Sequence, residues 1–280
     1  MYQLGLIGYP IQHSLSPWIH HRLLDNAGLE GNYRLFEISP EEDFAEKIQE
    51  LKSKEIKGFN VTVPYKQKII PYLDGLDSTA EEMHAVNTVI HKNGKWYGYN
   101  TDGIGYLRSL EHAYPDFFND LKNKVLILGA GGAARALFYA LSQKGFVNID
   151  IANRTLKKAE DIAQLGNNNS NTNVFTIEKA NECLHNYDLI IQTTSVGMKS
   201  FGLKPIVTIE RLKKDVIVSD IVYQPIVTKF LQDAEEHGAR LLFGHTMLLY
   251  QAQYAFEIWT NKRIDLKDME NELLAILEGR

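Results

Sequence analysis

Val125-Leu126-Ile127-Leu128-Gly129-Ala130-Gly131-Gly132-Ala133-Ala134-Arg135 is the stretch that decides the fold. Its first four residues form a short continuous apolar run, which reads as a buried strand, and a helical pattern follows through about Lys144. Between them, Gly129 to Ala134 fits G-x-G-x-x-A directly after a strand and at the start of a helix. Glycines there allow a tight turn and close backbone approach. The helix N-terminus offers free amides and a partial positive charge to a pyrophosphate. A glycine-rich turn with no ligand is the plainer alternative, and the strand-to-helix context argues against it.

Working outward toward the C-terminus, Asn148 to Ala152 reads as the next strand, with Leu189 to Gln192, Val216 to Asp220 and Leu241 to Phe243 as further strands. In such a series the second strand ends at the adenine ribose. An acid about 20 residues after the glycines binds the 2′-hydroxyl of NAD there. Here the tip is Asn153-Arg154-Thr155, followed by Lys157 and Lys158, while Asp150 lies earlier, inside the strand. An Arg fork with a nearby Lys suits a 2′-phosphate, so NADP is favoured over NAD. A solvated basic helix start is the alternative. The Asn/Ser-rich run from Asn167 to Asn173 reads as a surface loop, and the stretches Thr246 to Trp259 and Asp268 to Leu277 as helices.

Toward the N-terminus, Gln3 to Ile7, Tyr33 to Ile38 and Gly58 to Val63 read as strands. The helix between the first two opens at Ser16-Pro17, with Ser16 as N-cap, and stops near Gly28. Another helix runs from Pro40 through about Leu51, and Pro64 ends the third strand. This β-α-β-α-β order predicts a largely parallel sheet. Asn93-Gly94, flanked by Thr88 to His91 and Lys95 to Tyr99, predicts a type I′ hairpin, and a helix begins just after Asp102.

Three polar clusters stand where this half of the chain changes direction: His13-Ser14-Leu15-Ser16-Pro17, Asn60 to Lys66, and Asn100-Thr101-Asp102-Gly103. Two hydroxyls beside a helix N-terminus suit a carboxylate. Plain capping by Ser16 is the alternative, and it leaves Ser14 unexplained. Alternation puts Asn60 and Thr62 on one strand face, with Lys66 just beyond the strand. Singly, Lys66 reads as a surface charge and Asp102 as an N-cap. In a parallel sheet, however, successive strand tips share one edge, where ligands bind. A Lys and an Asp meeting there would form an acid-base pair.

Composition bounds the rest. The chain has 280 residues, 44% hydrophobic and 23% charged, with 20 Gly and 8 Pro, which excludes disordered, collagenous and coiled-coil classes. A net charge of -5 gives no bulk attraction to nucleic acid or anionic lipid. The lone cysteine, Cys183, permits no intrachain disulfide and favours a reducing compartment. Tyr2 to Tyr9 is too short and lacks the basic flank of a signal peptide, and no apolar run nears the roughly 18 residues of a membrane span. The expectation is a cytoplasmic enzyme with no membrane or nucleic-acid partner.

These motifs together resemble the shikimate dehydrogenase family over nearly the whole chain. The matching stretches are Gly8-Tyr9-Pro10, His13 to Pro17 with His20, Asn60 to Lys66, Ala85 to Thr88 and Asn100 to Gly103. They continue with Gly129 to Arg135, Asn153 to Thr155, Thr194 to Met198, Asp220 to Tyr223 with Pro225, and Gly244, Met247, Leu248 and Gln251. The resemblance implies two α/β domains with a cleft between them. One is a discontinuous substrate domain with a mainly parallel sheet, expected over 1–103 plus 244–280. The other is a Rossmann NADP-binding domain over 104–243. It also implies reversible NADPH-dependent reduction of 3-dehydroshikimate to shikimate in aromatic amino acid (chorismate) biosynthesis.

Carried over residue by residue, Lys66 and Asp102 would be the catalytic pair and Ser14 and Ser16 would hold the substrate carboxylate. Asn60, Thr62, Asn87, Tyr223 and Gln251 would surround the ring and its hydroxyls. Gly129, Ala130, Gly131, Gly132 and Ala133 would face the pyrophosphate, and Asn153, Arg154, Thr155 and Lys158 the adenosine phosphate. Gly244 and Met247 would lie near the nicotinamide. No metal is implied, and the expected assembly is a monomer or homodimer. A quinate-preferring dehydrogenase is the runner-up, and Ser16 leans against it, since quinate-preferring relatives often carry Thr there. A non-catalytic NADPH sensor is the rival from another class, and it would need neither Lys66 nor Asp102.

Overall fold

A computed structural model describes residues 1–167, 170–198 and 204–279. The chain divides into two compact units, one of Met1–Thr101 with Gln251–Met269, the other of Asp102–Tyr250 with the chain from Glu270 onward.

The first unit holds strands β1 (Tyr2–Gly8), β2 (Gly31–Glu37), β3 (Gly58–Val61), β4 (Gly75–Leu76), β5 (Thr88–Lys92) and β6 (Lys95–Tyr99), with helices α1 (Ser16–Ala27), α2 (Phe44–Lys52) and α3 (Ser78–Met83). Their sheet order is β2-β1-β3-β5-β6-β4. β1 runs parallel to β2 and β3, β4 runs parallel to β6, and β3-β5-β6 are antiparallel. The hairpin turn has φ 53° at Asn93 and 74° at Gly94, the positive values that a type I′ turn demands.

Two helix starts differ from expectation. Asp43 caps α2, its Oδ1 accepting from the Ala45 and Glu46 amides at 2.9 and 3.3 Å, so the helix starts after Asp43 and not at Pro40. Ser16 is the first residue of α1 and caps nothing. The Ser14 hydroxyl instead accepts from the Ser16 amide at 3.2 Å.

The second unit holds α4 (Asp102–Ala113), β7 (Lys124–Leu128), α5 (Gly132–Lys144), β8 (Asn148–Ala152), α6 (Leu156–Ala163), β9 (Val174–Phe175), α7 (Ile177–Cys183), β10 (Leu189–Gln192), β11 (Ile217–Asp220), α8 (Lys229–Glu236) and β12 (Arg240–Phe243). Helix α9 (Gly244–Thr260) contributes residues to both units, and α10 (Met269–Leu277) falls almost wholly in the second. The sheet is parallel throughout, ordered β12-β11-β10-β7-β8-β9. Val125 and Ile127 feed one core and Leu126 and Leu128 the other. A strand buried on both faces reads as an unbroken apolar run, which is why β7 is legible. The strand order reverses between β7 and β10, the place where doubly wound folds bind ligands.

The unit boundaries depart from the expected 103/104 and 243/244. Helix α4 packs on α5 so tightly that a Cβ on Gly103 would sit 2.5 Å from the Ala136 carbonyl oxygen, and Met247 packs on the second unit's core. Of the expected 167–173 loop, residues 168 and 169 lie outside the described residues; Asn171 bridges to Asn148. Among the described residues no helix is long and apolar enough to cross a membrane.

Candidate active site

In the first unit a line of hydrogen bonds joins the N-terminal polar clusters. The Tyr33 phenol donates to Asn60 Oδ1 at 2.7 Å. Burial raises that phenol's pKa well above its usual value, and the Ser16 side chain beside it pulls the other way. Asn60 Nδ2 donates to the Asn87 carbonyl at 3.2 Å and to Thr88 Oγ1 at 3.0 Å. Asn87 in turn clamps Thr101: its Oδ1 accepts the Thr101 amide at 2.9 Å, and its Nδ2 donates to Thr101 Oγ1 at 3.0 Å. Thr101 Oγ1 also donates to Gln251 Oε1 at 3.3 Å.

Lys66 joins through its backbone, since its carbonyl accepts the Val86 amide at 2.8 Å. The strand end at Thr62, the Lys66 turn, the 85–88 segment and the turn before Asp102 are therefore laced together. Asp102 is the next residue after Thr101 and the first of α4. β3 ends at Val61, so Thr62 lies just past the strand expected to hold it, although its amide still donates to the Ile7 carbonyl at 2.9 Å. Asn60 is buried, and its amide is already engaged by the fold.

Behind this line, His20 is 0% exposed and stacks on Tyr33 with ring centroids 4.4 Å apart. Neither ring nitrogen has a hydrogen-bond partner among the described residues. Burial pushes the imidazole down to about 3, outweighing the neighbouring Asn60.

In the second unit, Gly129 has φ +114°, and a Cβ there would meet Thr193 Oγ1 at 2.7 Å. That close approach joins the loops after β7 and β10 at the order reversal. Gly131 and Gly132 differ: a Cβ on either meets nothing within 4 Å. Gly131 is the N-cap of α5 and supplies no capping side chain, so the first amides of a 13-residue helix lack that partner. An open cradle beside uncapped helix amides fits a pyrophosphate. Ala130 and Ala133 border it, half-buried.

At the β8 tip, Asn153 Nδ2 closes a tight turn onto the Thr155 carbonyl at 2.9 Å. Lys157 is bound by Asp161 at 3.0 Å, while the exposed Arg154 and Lys158 form no ion pair with a described residue. Asp150 is spent within the fold, accepting from the Asn173 amide at 2.8 Å and from the Tyr187 phenol at 2.8 Å. The tip thus presents cations and no carboxylate, which fits a 2′-phosphate.

Tyr223, Gly244 and Met247 also belong to the second unit. Gly244 packs against the backbone of Ile221 and Val222, where a Cβ would sit 2.7 Å from the Val222 carbonyl oxygen. Burial pushes the half-buried Tyr223 phenol up. No motif in the sequence marks Tyr33, Gln192 or Thr228, and Asp220 stands out only within the 220–223 family match, yet their contacts tie the segments that carry the candidate residues. Tyr33 lies in a strand like any other aromatic. Gln192 and Thr228 show only as polar residues at a strand end and in a turn.

Comparison with known proteins agrees along the whole chain. Residues 6–89 match the shikimate dehydrogenase substrate binding domain, 113–225 match shikimate / quinate 5-dehydrogenase, and 244–274 match the shikimate 5′-dehydrogenase C-terminal domain. The shikimate dehydrogenase (NADP(+)) of Oceanobacillus iheyensis is 55% identical over 99% of both chains. The chain belongs to the shikimate dehydrogenase family.

A shikimate dehydrogenase crystallised with NADP+ superposes with a TM-score of 0.89 at 36% identity, covering 99% of this chain and 96% of its own. The Thermus thermophilus enzyme crystallised with NADP(H) and shikimate gives 0.82 at 30% identity, covering 99% and 100%. Members of the family are oxidoreductases, and this chain is an NADP-dependent one.

Proposed function

We propose that Lys66 and Asp102 carry the reversible, NADPH-dependent reduction of 3-dehydroshikimate to shikimate, the chorismate-pathway reaction of this family. The observation that carries this reading is the lacing of Lys66 to Val86 and of Asn87 to Thr101, because it orders the turns that bear both members of the pair. When bound, NADPH supplies the hydride. The Lys66 ammonium stabilises the negative charge that grows on the substrate carbonyl oxygen and gives that oxygen the proton that completes the alcohol. Asp102 orients Lys66 and accepts a hydrogen bond from the adjacent substrate hydroxyl.

Ser14 and Ser16 hold the carboxylate, remote from the reacting carbon. Asn60, Thr62, Asn87, Tyr223 and Gln251 surround the ring. Gly129, Gly131, Gly132 and Ala133 take the pyrophosphate, Arg154 and Lys158 the 2′-phosphate, and Gly244 and Met247 the nicotinamide. A single cysteine supports a reducing, cytoplasmic setting.

The test is reduced-cofactor absorbance after mixing the protein and NADP with shikimate or quinate separately. Shikimate should turn over faster, and a preference for quinate would refute the substrate assignment. In the same assay Lys66→Ala should lower kcat roughly 10²–10⁴-fold with little change in shikimate KM. A Lys66→Ala variant running near the wild-type rate would remove Lys66 from the chemistry.

A further inference from the structure

Asp220 ends β11 with 0% exposure, and its carboxylate is held by neutral donors. Oδ1 accepts from the Val222 amide at 2.9 Å and from Gln192 Nε2 at 3.2 Å, and Oδ2 accepts from the Thr228 hydroxyl at 2.7 Å. Burying a carboxylate without a cation is costly, and here it pushes the group up to about 6. The three bonds show what that cost secures. Thr228 and Val222 are the two ends of one turn, and Tyr223 lies between them. Thr228 also caps α8, accepting from the Leu231 amide at 3.3 Å.

Gln192 extends the tie to the neighbouring loop. Its Nε2 donates to the Val196 carbonyl at 2.8 Å and the Thr194 carbonyl at 3.2 Å, and its Oε1 accepts from the Thr194 amide. Asp220→Asn would keep Oδ1 for Val222 and Gln192 but put an NH2 where Oδ2 stood, leaving the Thr228 hydroxyl hydrogen without its acceptor.

We propose that Asp220 is a positioning residue: its carboxylate, pinned to Val222, Thr228 and Gln192, sets the 221–228 turn so that Tyr223 meets the substrate. This rests on the reading of Tyr223 as a substrate contact. The test is steady-state kinetics of Asp220→Asn, Thr228→Val, Thr228→Ser, Tyr223→Phe and the double variant Asp220→Asn/Tyr223→Phe, each with its melting temperature.

Asp220→Asn should raise shikimate KM roughly tenfold while NADP KM stays within about twofold, because only the turn has moved. Thr228→Val should act in the same direction, and Thr228→Ser, which keeps the hydroxyl, should restore the wild-type value. The double variant should be no worse than the poorer single one. An unchanged shikimate KM in Asp220→Asn overturns the proposal. So does a parallel rise for both ligands with a lowered Tm, or a multiplicative double variant. A silent Tyr223→Phe would show that the substrate reading of Tyr223 itself has failed, whereas an active Tyr223→Phe beside a silent Asp220→Asn would sink only the role of Asp220.

Discussion

Ser14 Oγ accepts from the Ser16 amide at 3.2 Å, whereas Ser16 starts the helix and lies at the Tyr33 phenol. Two variants should therefore separate the turn's own hydrogen bond from substrate binding. Ser14→Ala and Ser16→Ala should each raise shikimate KM, since a hydrogen bond to a charged carboxylate is worth about 1.5–3 kcal/mol. Only Ser14→Ala should also lose about 1 kcal/mol of stability, through the lost hydrogen bond to the Ser16 amide. Chemical denaturation beside kinetics checks both, and equal stability losses would contradict the assignment. At the other end of the reaction, Arg154 offers two parallel donors to a phosphate where Lys158 offers a point charge. Arg154→Ala should weaken NADP roughly 10–150-fold and leave NAD almost unmoved. Comparing kcat/KM for the two cofactors decides it; equal losses would mean that Arg154 supports the loop without reading the phosphate.

Among the elements, glycines that share a residue type have opposite duties. Gly103 lets α4 lie against α5, with Ala136 O and Ala140 Cβ at 2.5 and 2.7 Å from a would-be Cβ. Gly131 and Gly132, by contrast, open the start of α5 toward empty space. Gly103→Ala should cost about 1–3 kcal/mol of stability through overpacking. Gly132→Ala should leave stability within about 0.5 kcal/mol, because its surroundings are open and Ala favours a helix. The same variant should raise NADP KM, because the added methyl occupies the cradle. Thermal melts and cofactor titration of both variants test the contrast, and an unchanged NADP KM in Gly132→Ala would place the pyrophosphate elsewhere.

For the molecule as a whole, two buried groups oppose each other as pH falls. His20 is depressed from 6.5 to about 3, so its contribution to stability is full above about 6.5 and is lost as pH falls toward 3. Asp220 is raised from 3.8 to about 6, so its contribution is present below 3.8 and is lost as pH rises through about 6. At about pH 5, protonation linkage gives a loss of about 2 kcal/mol from His20 and a recovery of about 1 kcal/mol from Asp220. His20→Phe keeps the stack on Tyr33 and removes the first effect. Between about pH 7 and pH 5 its urea midpoint should gain on the wild type's, while His245, also buried and held below its usual value, costs both proteins stability alike. Parallel pH dependences in the two proteins would show that His20 is not buried neutral.

Local signals carried much of this molecule. The apolar run 125–128 with its glycines, the Asn93-Gly94 turn, and Arg154 standing where an acid would read NAD each lie within a few residues of one another. Spacing and residue type decide such features without distant contacts. Tertiary structure decided the rest. Strands β4 and β9 have two residues each and carry no periodicity, so only their pairing with β6 and β8 makes them strands. Helix α4 joins the second unit because Gly103 meets Ala136, a partner no local pattern names. Tyr33 reaches Asn60, Gln192 reaches Asp220 and Asn87 reaches Thr101 across 27, 28 and 14 residues of chain. A side chain's hydrogen-bond partner depends on which buried donors folding brings beside it. Propensity and periodicity report only on the nearest turns of chain, so those assignments exist only in the folded structure.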